Sequence, residues 1–246
     1  MMCSDRTRSA LLHAQSVVAF TGAGISAESG VPTFRGTDGI WSKFKPEELA
    51  NLDAFMRNPA LVWEWYAARK KVIAEAQPNA GHYALAAMER LFPSFTIITQ
   101  NIDNLHRRAG STRVFELHGN IERNYCMHCG KPFTNEQVLQ GPSVPRCTCG
   151  GLIRPDVVWF GEFLPEDEWE GAERVCRSAD VLLSIGTSGV VYPAASLPYE
   201  AKRNAAYIIE VNPEPTPLTP DADEFLRGKA GDILPTLVAL IEHERR

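Results

Sequence analysis

An apolar run, Val17-Val18-Ala19-Phe20, leads straight into Thr21-Gly22-Ala23-Gly24-Ile25-Ser26-Ala27. Consecutive apolar residues closed by a glycine turn read as a strand buried on both faces. The turn matches G-x-G-x-x-[G/A], in which glycines let a backbone approach a pyrophosphate and the next helix offers its free amides. Taken alone, the match fits equally a strand-to-helix turn that needs glycine only for its conformation.

The rest of the chain repeats the pattern. Phe95–Thr99, Val114–Leu117, Val181–Gly186 and Ala206–Val211 read as short buried strands. Helical patterns lie at Arg6–Ser16, Pro59–Ala76, up to Leu91, at Glu166–Ser178 and Ala194–Asn204, and from Gly231 to His243. Apolar strands alternating with helices predict an α/β fold whose parallel sheet is covered on both faces. A hydride-transfer enzyme would place an acidic residue about 20 positions after the glycines, at the end of a second strand. Asp38 lies in that range but sits in Gly-Thr-Asp-Gly, which argues against hydride transfer.

Four of the six cysteines, Cys126-x-x-Cys129 and Cys147-x-Cys149, fall in a polar, Gly- and Pro-containing stretch from Tyr125 to Gly151. Four thiolates suit a closed tetrahedral Zn²⁺ site, structural and without a water-activating position. The short second pair leaves His128 as a substitute ligand should Cys147 or Cys149 fall short. No run reaches the length of a transmembrane helix, and no secretory leader is evident, so a cytoplasmic protein is expected. The formal net charge of −5 argues against a nucleic-acid partner.

Polar residues cluster where strands end, which is where α/β folds hold ligands. His118 follows one strand and reads either as a general base or as a hydrogen-bonded structural histidine. Gln100-Asn101-Ile102-Asp103 follows another and reads either as a ribose- or carboxamide-binding group or as a helix cap. Gly186-Thr187-Ser188 and Asn212-Pro213-Glu214 complete one crevice.

Together with Pro32-Thr33-Phe34-Arg35, Leu117-His118-Gly119 and Arg154 to Glu162, these motifs closely resemble the sirtuin family in order and spacing, from about residue 10 to the C-terminus. The resemblance implies a Rossmann-like parallel sheet with helices on both faces and a small zinc-binding domain. The whole would be a single catalytic domain, its large part about 1–35, 78–122 and 155–246, with insertions at about 36–77 (helical) and 123–154 (zinc-binding). It also implies that NAD⁺ is consumed as a co-substrate. Acyl groups would leave protein lysine with release of nicotinamide and O-acyl-ADP-ribose. On that basis His118, Asn101 and Asp103 are expected to be catalytic. Gly22, Ala23, Gly24, Ala27, Thr33, Phe34, Arg35, Gln100, Ile102, Gly186, Thr187, Ser188, Asn212, Pro213, Glu214 and Ala230 are expected around NAD⁺, together with Asn101 and Asp103. Val158, Phe160, Gly161 and Glu162 would form the edge that receives the substrate peptide as an added strand.

Tyr66 and Arg69 stand three apart on one helical face. Arg binds a carboxylate through paired hydrogen bonds and Tyr adds a hydroxyl, so the two would suit a succinyl or malonyl group. The pair resembles the Tyr-x-x-Arg signature of class III sirtuins, the desuccinylase branch that includes bacterial CobB-type enzymes. A monomer acting on acyl-lysine proteins or peptides is expected, with no membrane partner. The competing readings are ADP-ribosyl transfer to a protein and a zinc-ribbon interaction module on an inactive scaffold.

Overall fold

The computed structural model describes residues 3–33 and 49–245, so Phe34, Arg35 and Asp38 lie outside the described residues. Helix α1 (Asp5–His13) begins at Ser4, whose hydroxyl accepts from the Thr7 amide. Strand β1 (Ser16–Thr21) delivers the chain into a 3-10 helix, Ala23–Ser29, that stops at Gly30 with φ 79°. Helices α2 (Leu52–Arg57) and α3 (Pro59–Glu75) start at Asn51 and Asn58, each capping with its side-chain carbonyl. Helix α4 (Ala80–Leu91) is closed by a reciprocal box between Asn79 and His82. There follow β2 (Ser94–Thr99), α5 (Leu105–Arg108), β3 (Val114–Glu116), β4 (Gly119–Cys126), β5 (Pro132–Thr134), α6 (Asn135–Leu139) and β6 (Ile153–Val157). The chain ends with α7 (Glu166–Arg177), β7 (Val181–Ile185), α8 (Leu197–Arg203), β8 (Tyr207–Asn212), β9 (Glu224–Arg227) and α9 (Ala230–Glu244).

Six strands form one parallel sheet in the order β3-β2-β1-β7-β8-β9. Both faces are covered, and alternate residues of each strand serve opposite layers. Val17 and Ala19 join Leu85, Met88, Leu234 and Ile241 on the side of α4 and α9. Val18 and Phe20 join Ala172, Cys176, Leu197 and Ala201 on the side of α7 and α8. The chain builds outward from β1 to β3, then returns beside β1 with β7 and builds the other way. The crevice where direction reverses, between the C-terminal ends of β1 and β7, is where such sheets take ligands.

A second sheet, antiparallel and ordered β5-β4-β6, packs with α2 and α3 around Phe55, Trp63, Tyr66, Ile121, Ile153 and Trp159. Two side chains of α3 fasten it to this sheet. Trp63 Nε1 donates to the Ile153 carbonyl at 3.0 Å, and Lys70 Nζ donates to the Ile121 carbonyl and to Asn135 Oδ1. The expected parallel sheet with helices on both faces and a small cysteine-bearing module is therefore present.

Local signals predict most elements but miss several. Where the pattern predicts a single helix over 194–204, the chain makes a 3-10 turn, Ala194–Ser196, before α8, whose first turn holds a proline. Strand β9 has no apolar run and exists by pairing with β8. Strands β4 and β6 flank the Tyr125–Gly151 stretch that reads in the sequence as a polar insert, and they escape notice because their apolar residues are dispersed between charged ones.

Candidate active site

The β1 and β7 turns interlock through glycine. The Gly24 amide donates to the Gly186 carbonyl at 2.7 Å, and a Cβ built on Gly24 would lie 2.7 Å from Gly186 Cα. Gly186 itself has φ 57°, and a Cβ there would meet the Ile25 amide nitrogen at 2.5 Å. Gly24→Ala is accordingly expected to push the two turns apart. Stability should fall by about 1–3 kcal/mol and ADP-ribose affinity at least tenfold, read by thermal unfolding and by titration calorimetry. Unchanged affinity would show that the interlock does not shape the crevice.

Over this floor lies a cavity of roughly 520 Å³, within the range of small-molecule and cofactor sites. Gly22, Ala23, Gly24 and Thr33 line it from the first turn, Gln100, Asn101 and Ile102 from the end of β2, and His118 from the end of β3. Gly186, Thr187, Ser188, Asn212, Pro213 and Glu214 come from the ends of β7 and β8. Tyr66 and Arg69 of α3 face the same cavity, as do Val158, Phe160, Gly161 and Glu162. Asp103, Ala27 and Ala230 are not in its wall. Ala27 is exposed on the 3-10 helix, and Ala230 packs against Gly81 at the start of α9.

His118 Nδ1 lies 2.9 Å from the Gln100 carbonyl, an acceptor only, so Nδ1 carries the proton of the neutral ring. Nε2 is then the basic nitrogen. Burial lowers the His118 pKa, and the bond to Gln100 opposes the shift in part. Asn101 donates through Nδ2 to the Gly22 carbonyl at 3.0 Å and to Ser26 Oγ at 3.2 Å. Ser26 Oγ donates in turn to Asp103 Oδ2 at 2.7 Å, while Asp103 Oδ1 accepts from the Leu105 amide. Asp103 is thus one layer behind the cavity, with a pKa raised by burial. Ser26, which its position inside the glycine motif did not single out, is the link between them.

The Asn212 side chain donates to the Thr187 carbonyl at 2.8 Å, and Gln100 Nε2 donates to Thr187 Oγ1 at 3.0 Å. Thr216 and Pro217 also line the cavity, from a loop anchored underneath. The buried Glu210 carboxylate accepts from both Thr216 and Thr219 hydroxyls. Arg227 Nε donates to the Pro213 carbonyl and Tyr199 to that of Pro217. Glu162 lines the cavity but turns its carboxylate to Arg154 and to the Trp159 amide.

The four clustered cysteines also meet. Their sulfurs all lie within 4.8 Å of one another, with Cys126–Cys149 at 3.5 Å and Cys129–Cys147 at 3.7 Å. Zinc bonds of about 2.3 Å in a tetrahedron require sulfurs roughly 3.8 Å apart, so the donor set fits Zn²⁺. The single spacer at Thr148 still lets Cys147 and Cys149 join the cluster, and the Cys126 and Cys147 carbonyls each accept from a glycine amide, Gly130 and Gly150, both with positive φ. His128 is not needed as a ligand. Gly151 must stay small, since a Cβ would come 2.8 Å from Cys126 Sγ.

Residues 22–193 match the Sir2 family. The chain belongs to that family. A sirtuin of this kind from Aquifex aeolicus, an NAD-dependent protein deacylase, is 58% identical over 217 residues, which cover 87% of this chain and 90% of that one. The crystal structure of a Sir2 homologue in complex with NAD superposes with a TM-score of 0.93 at 48% identity, covering 99% of this chain and 95% of that one. A further Sir2 structure, with a deacetylated peptide and 3′-O-acetyl ADP-ribose, superposes with a TM-score of 0.89 at 36% identity, covering 97% of each chain. No helix among the described residues of this sirtuin is long and apolar enough to cross a membrane.

Proposed function

We propose that this sirtuin removes acyl groups ending in a carboxylate, succinyl or malonyl, from lysine side chains, in addition to acetyl. The coarser activity comes with the family: the chain is an NAD-dependent protein deacylase, with NAD⁺ as co-substrate and O-acetyl-ADP-ribose as the product of deacetylation. One observation carries the finer reading. Tyr66 and Arg69 line the same cavity as His118. Burial pushes the Tyr66 hydroxyl up to about 12, so it stays a neutral donor. Burial also disfavours the charged form of Arg69, which makes an anion brought beside it welcome. The ring of Trp65 holds the guanidinium at 4.7 Å.

NAD⁺ supplies a nicotinamide leaving group and a ribose that accepts the acyl group. The remaining chemistry falls to the chain. His118 takes a proton from a ribose hydroxyl at Nε2. Asn101, its amide nitrogen committed to Gly22 and Ser26, offers its carbonyl oxygen to the ligand. Asp103 acts through Ser26 to hold Asn101 and is a positioning residue in this reading. Gly22, Ala23, Gly24 and Thr33 hold phosphates, and with them Phe34 and Arg35, which lie outside the described residues. Gln100 and Ile102 take the ribose and nicotinamide side. Gly186, Thr187, Ser188, Asn212, Pro213 and Glu214 take the adenosine side. Val158, Phe160, Gly161 and Glu162 form the edge along which the acyl-lysine peptide adds as a strand. A single catalytic domain, large part and two insertions, is the matching organisation. Four metal-type thiolates suit a reducing compartment, which supports a cytoplasmic location, and a monomer is the simplest form.

The test incubates the protein with NAD⁺ and matched acetyl- and succinyl-lysine peptides, followed by mass. Succinyl loss at least as efficient as acetyl loss is expected, and Arg69→Met should lower desuccinylation about 10- to 100-fold more than deacetylation, the weight of a charge-assisted hydrogen bond. Acetyl loss alone, or equal losses in the variant, would reject the carboxylate reading.

A further inference from the structure

Trp159 makes its own demand on Tyr66. A phenol has one proton to give and two lone pairs to receive with, whereas an indole can only give. Trp159 Nε1 lies 2.8 Å from the Tyr66 hydroxyl, so the phenol is the acceptor in that bond and keeps its proton for another group. Among the described residues no other hydrogen bond engages that hydroxyl, and Tyr66 lines the cavity.

Trp159 cannot easily swing away. It is 2% exposed. The Arg154 guanidinium lies 3.5 Å from its ring centroid, and the Phe55 ring lies 5.1 Å away on centroids. Its backbone amide donates to Glu162 Oε2 at 2.8 Å, and the same carboxylate oxygen accepts from Arg154 Nη2 at 2.8 Å. Arg154 Nη2 also donates to the Val157 carbonyl. An ion pair and one ring thus fix the direction of one indole N–H, and that N–H fixes the direction of one phenol O–H.

We propose that Trp159 is a positioning residue for acyl selectivity: by filling an acceptor position of the Tyr66 oxygen, it directs the phenol proton to the far end of the acyl group. A carboxylate accepts such a proton and an acetyl methyl has no use for it. Without the indole N–H the phenol is free to donate to other oxygens and to turn its lone pairs toward the anion, where they repel it. The assignment rests on the carboxylate-ended acyl reading above.

The test replaces Trp159 by the isostere β-(3-benzothienyl)alanine, which keeps the ring and lacks the N–H, with Trp159→Phe as the encoded variant. The readout is the ratio of kcat/KM for succinyl over acetyl peptide in the same preparation, so a general loss of fold cancels. Binding of the succinyl peptide without NAD⁺, by calorimetry, is measured beside it. The ratio and the binding are expected to fall about 5- to 10-fold, carried by KM, the effect of one misdirected hydrogen bond. In a Tyr66→Phe background the same replacement should change the ratio no further, because the effect runs through the phenol. An unchanged ratio in the isostere, or an equal fall in the Tyr66→Phe background, overturns the assignment while leaving desuccinylation standing. A wild-type protein that removes acetyl but not succinyl overturns the acyl reading and the assignment with it.

Discussion

His118→Ala is expected to lower turnover on acetyl peptide about 10²- to 10⁴-fold, the usual worth of a general base, with the fold retained. Among the described residues the ring makes a single hydrogen bond, from Nδ1 to the Gln100 carbonyl, so little of the architecture depends on it. The acid dependence of the wild-type enzyme should carry its signature. The neutral ring is the active form, so kcat/KM rises with pH through the His118 pKa and is flat above it. Burial lowers that pKa, so the limb should lie below the ordinary histidine value of about 6.5. Stability has its own acid limb. His82, held down to about 4 by burial, and His106, held well below its ordinary value by burial and by the neighbouring His82, are neutral in the fold. Below about 6.5 the unfolded chain takes up protons that the folded chain refuses, so stability is lost as pH falls. Unfolding temperatures recorded at each pH separate the two effects. A folded His118→Ala protein with normal turnover would remove the base assignment, and a wild-type kcat/KM limb above 6.5 would remove the account of its pKa.

Cys126→Ser, or metal removal by a strong chelator, is expected to abolish deacylation, at least 100-fold, by loosening the smaller module. Structural zinc in small domains contributes about 10–16 kcal/mol of apparent binding energy, more than most domains possess in net stability. The effect should reach the cavity wall at Tyr66 and Arg69 through α3. Trp63 and Lys70 tie that helix to the Ile153 and Ile121 carbonyls of the cysteine-bearing sheet, and Tyr66 and Arg69 lie between them on the same helix. The six-stranded sheet contributes no thiolate to the cluster. Amide exchange should therefore rise in β4, β6 and α3 while β1, β2, β7 and β8 stay protected. Full activity in demonstrably metal-free protein would rule out a structural metal.

How much of this was legible from the amino acids depended on how local each feature is. The run Val17–Phe20 and its glycines announce themselves, because strand, turn and helix start are contiguous. The cysteines announce themselves by spacing. Tyr66 and Arg69 are readable as one face of a helix. The Ser26–Asp103 bond is not, since its partners are distant in the chain and meet only when β1 and β2 pair. The indole–phenol contact between Trp159 and Tyr66 is hidden for the same reason. Strand β9 has too few apolar residues to betray a partner, and dispersed apolar positions concealed β4 and β6.

Glu210 carries a consequence for how a nucleotide would be greeted. Its carboxylate is wholly buried and grips two threonine hydroxyls of the Pro-rich segment that lines the cavity. Arg227 and Tyr199 hold carbonyls of the same segment from outside. That wall is ordered by the protein's own interior before any guest arrives. A ligand settling there has no loop to freeze, and its association is spared the entropy that freezing one would cost. Tightness at this wall is thus set during folding, and the chemistry at the other end of the crevice can vary without disturbing it.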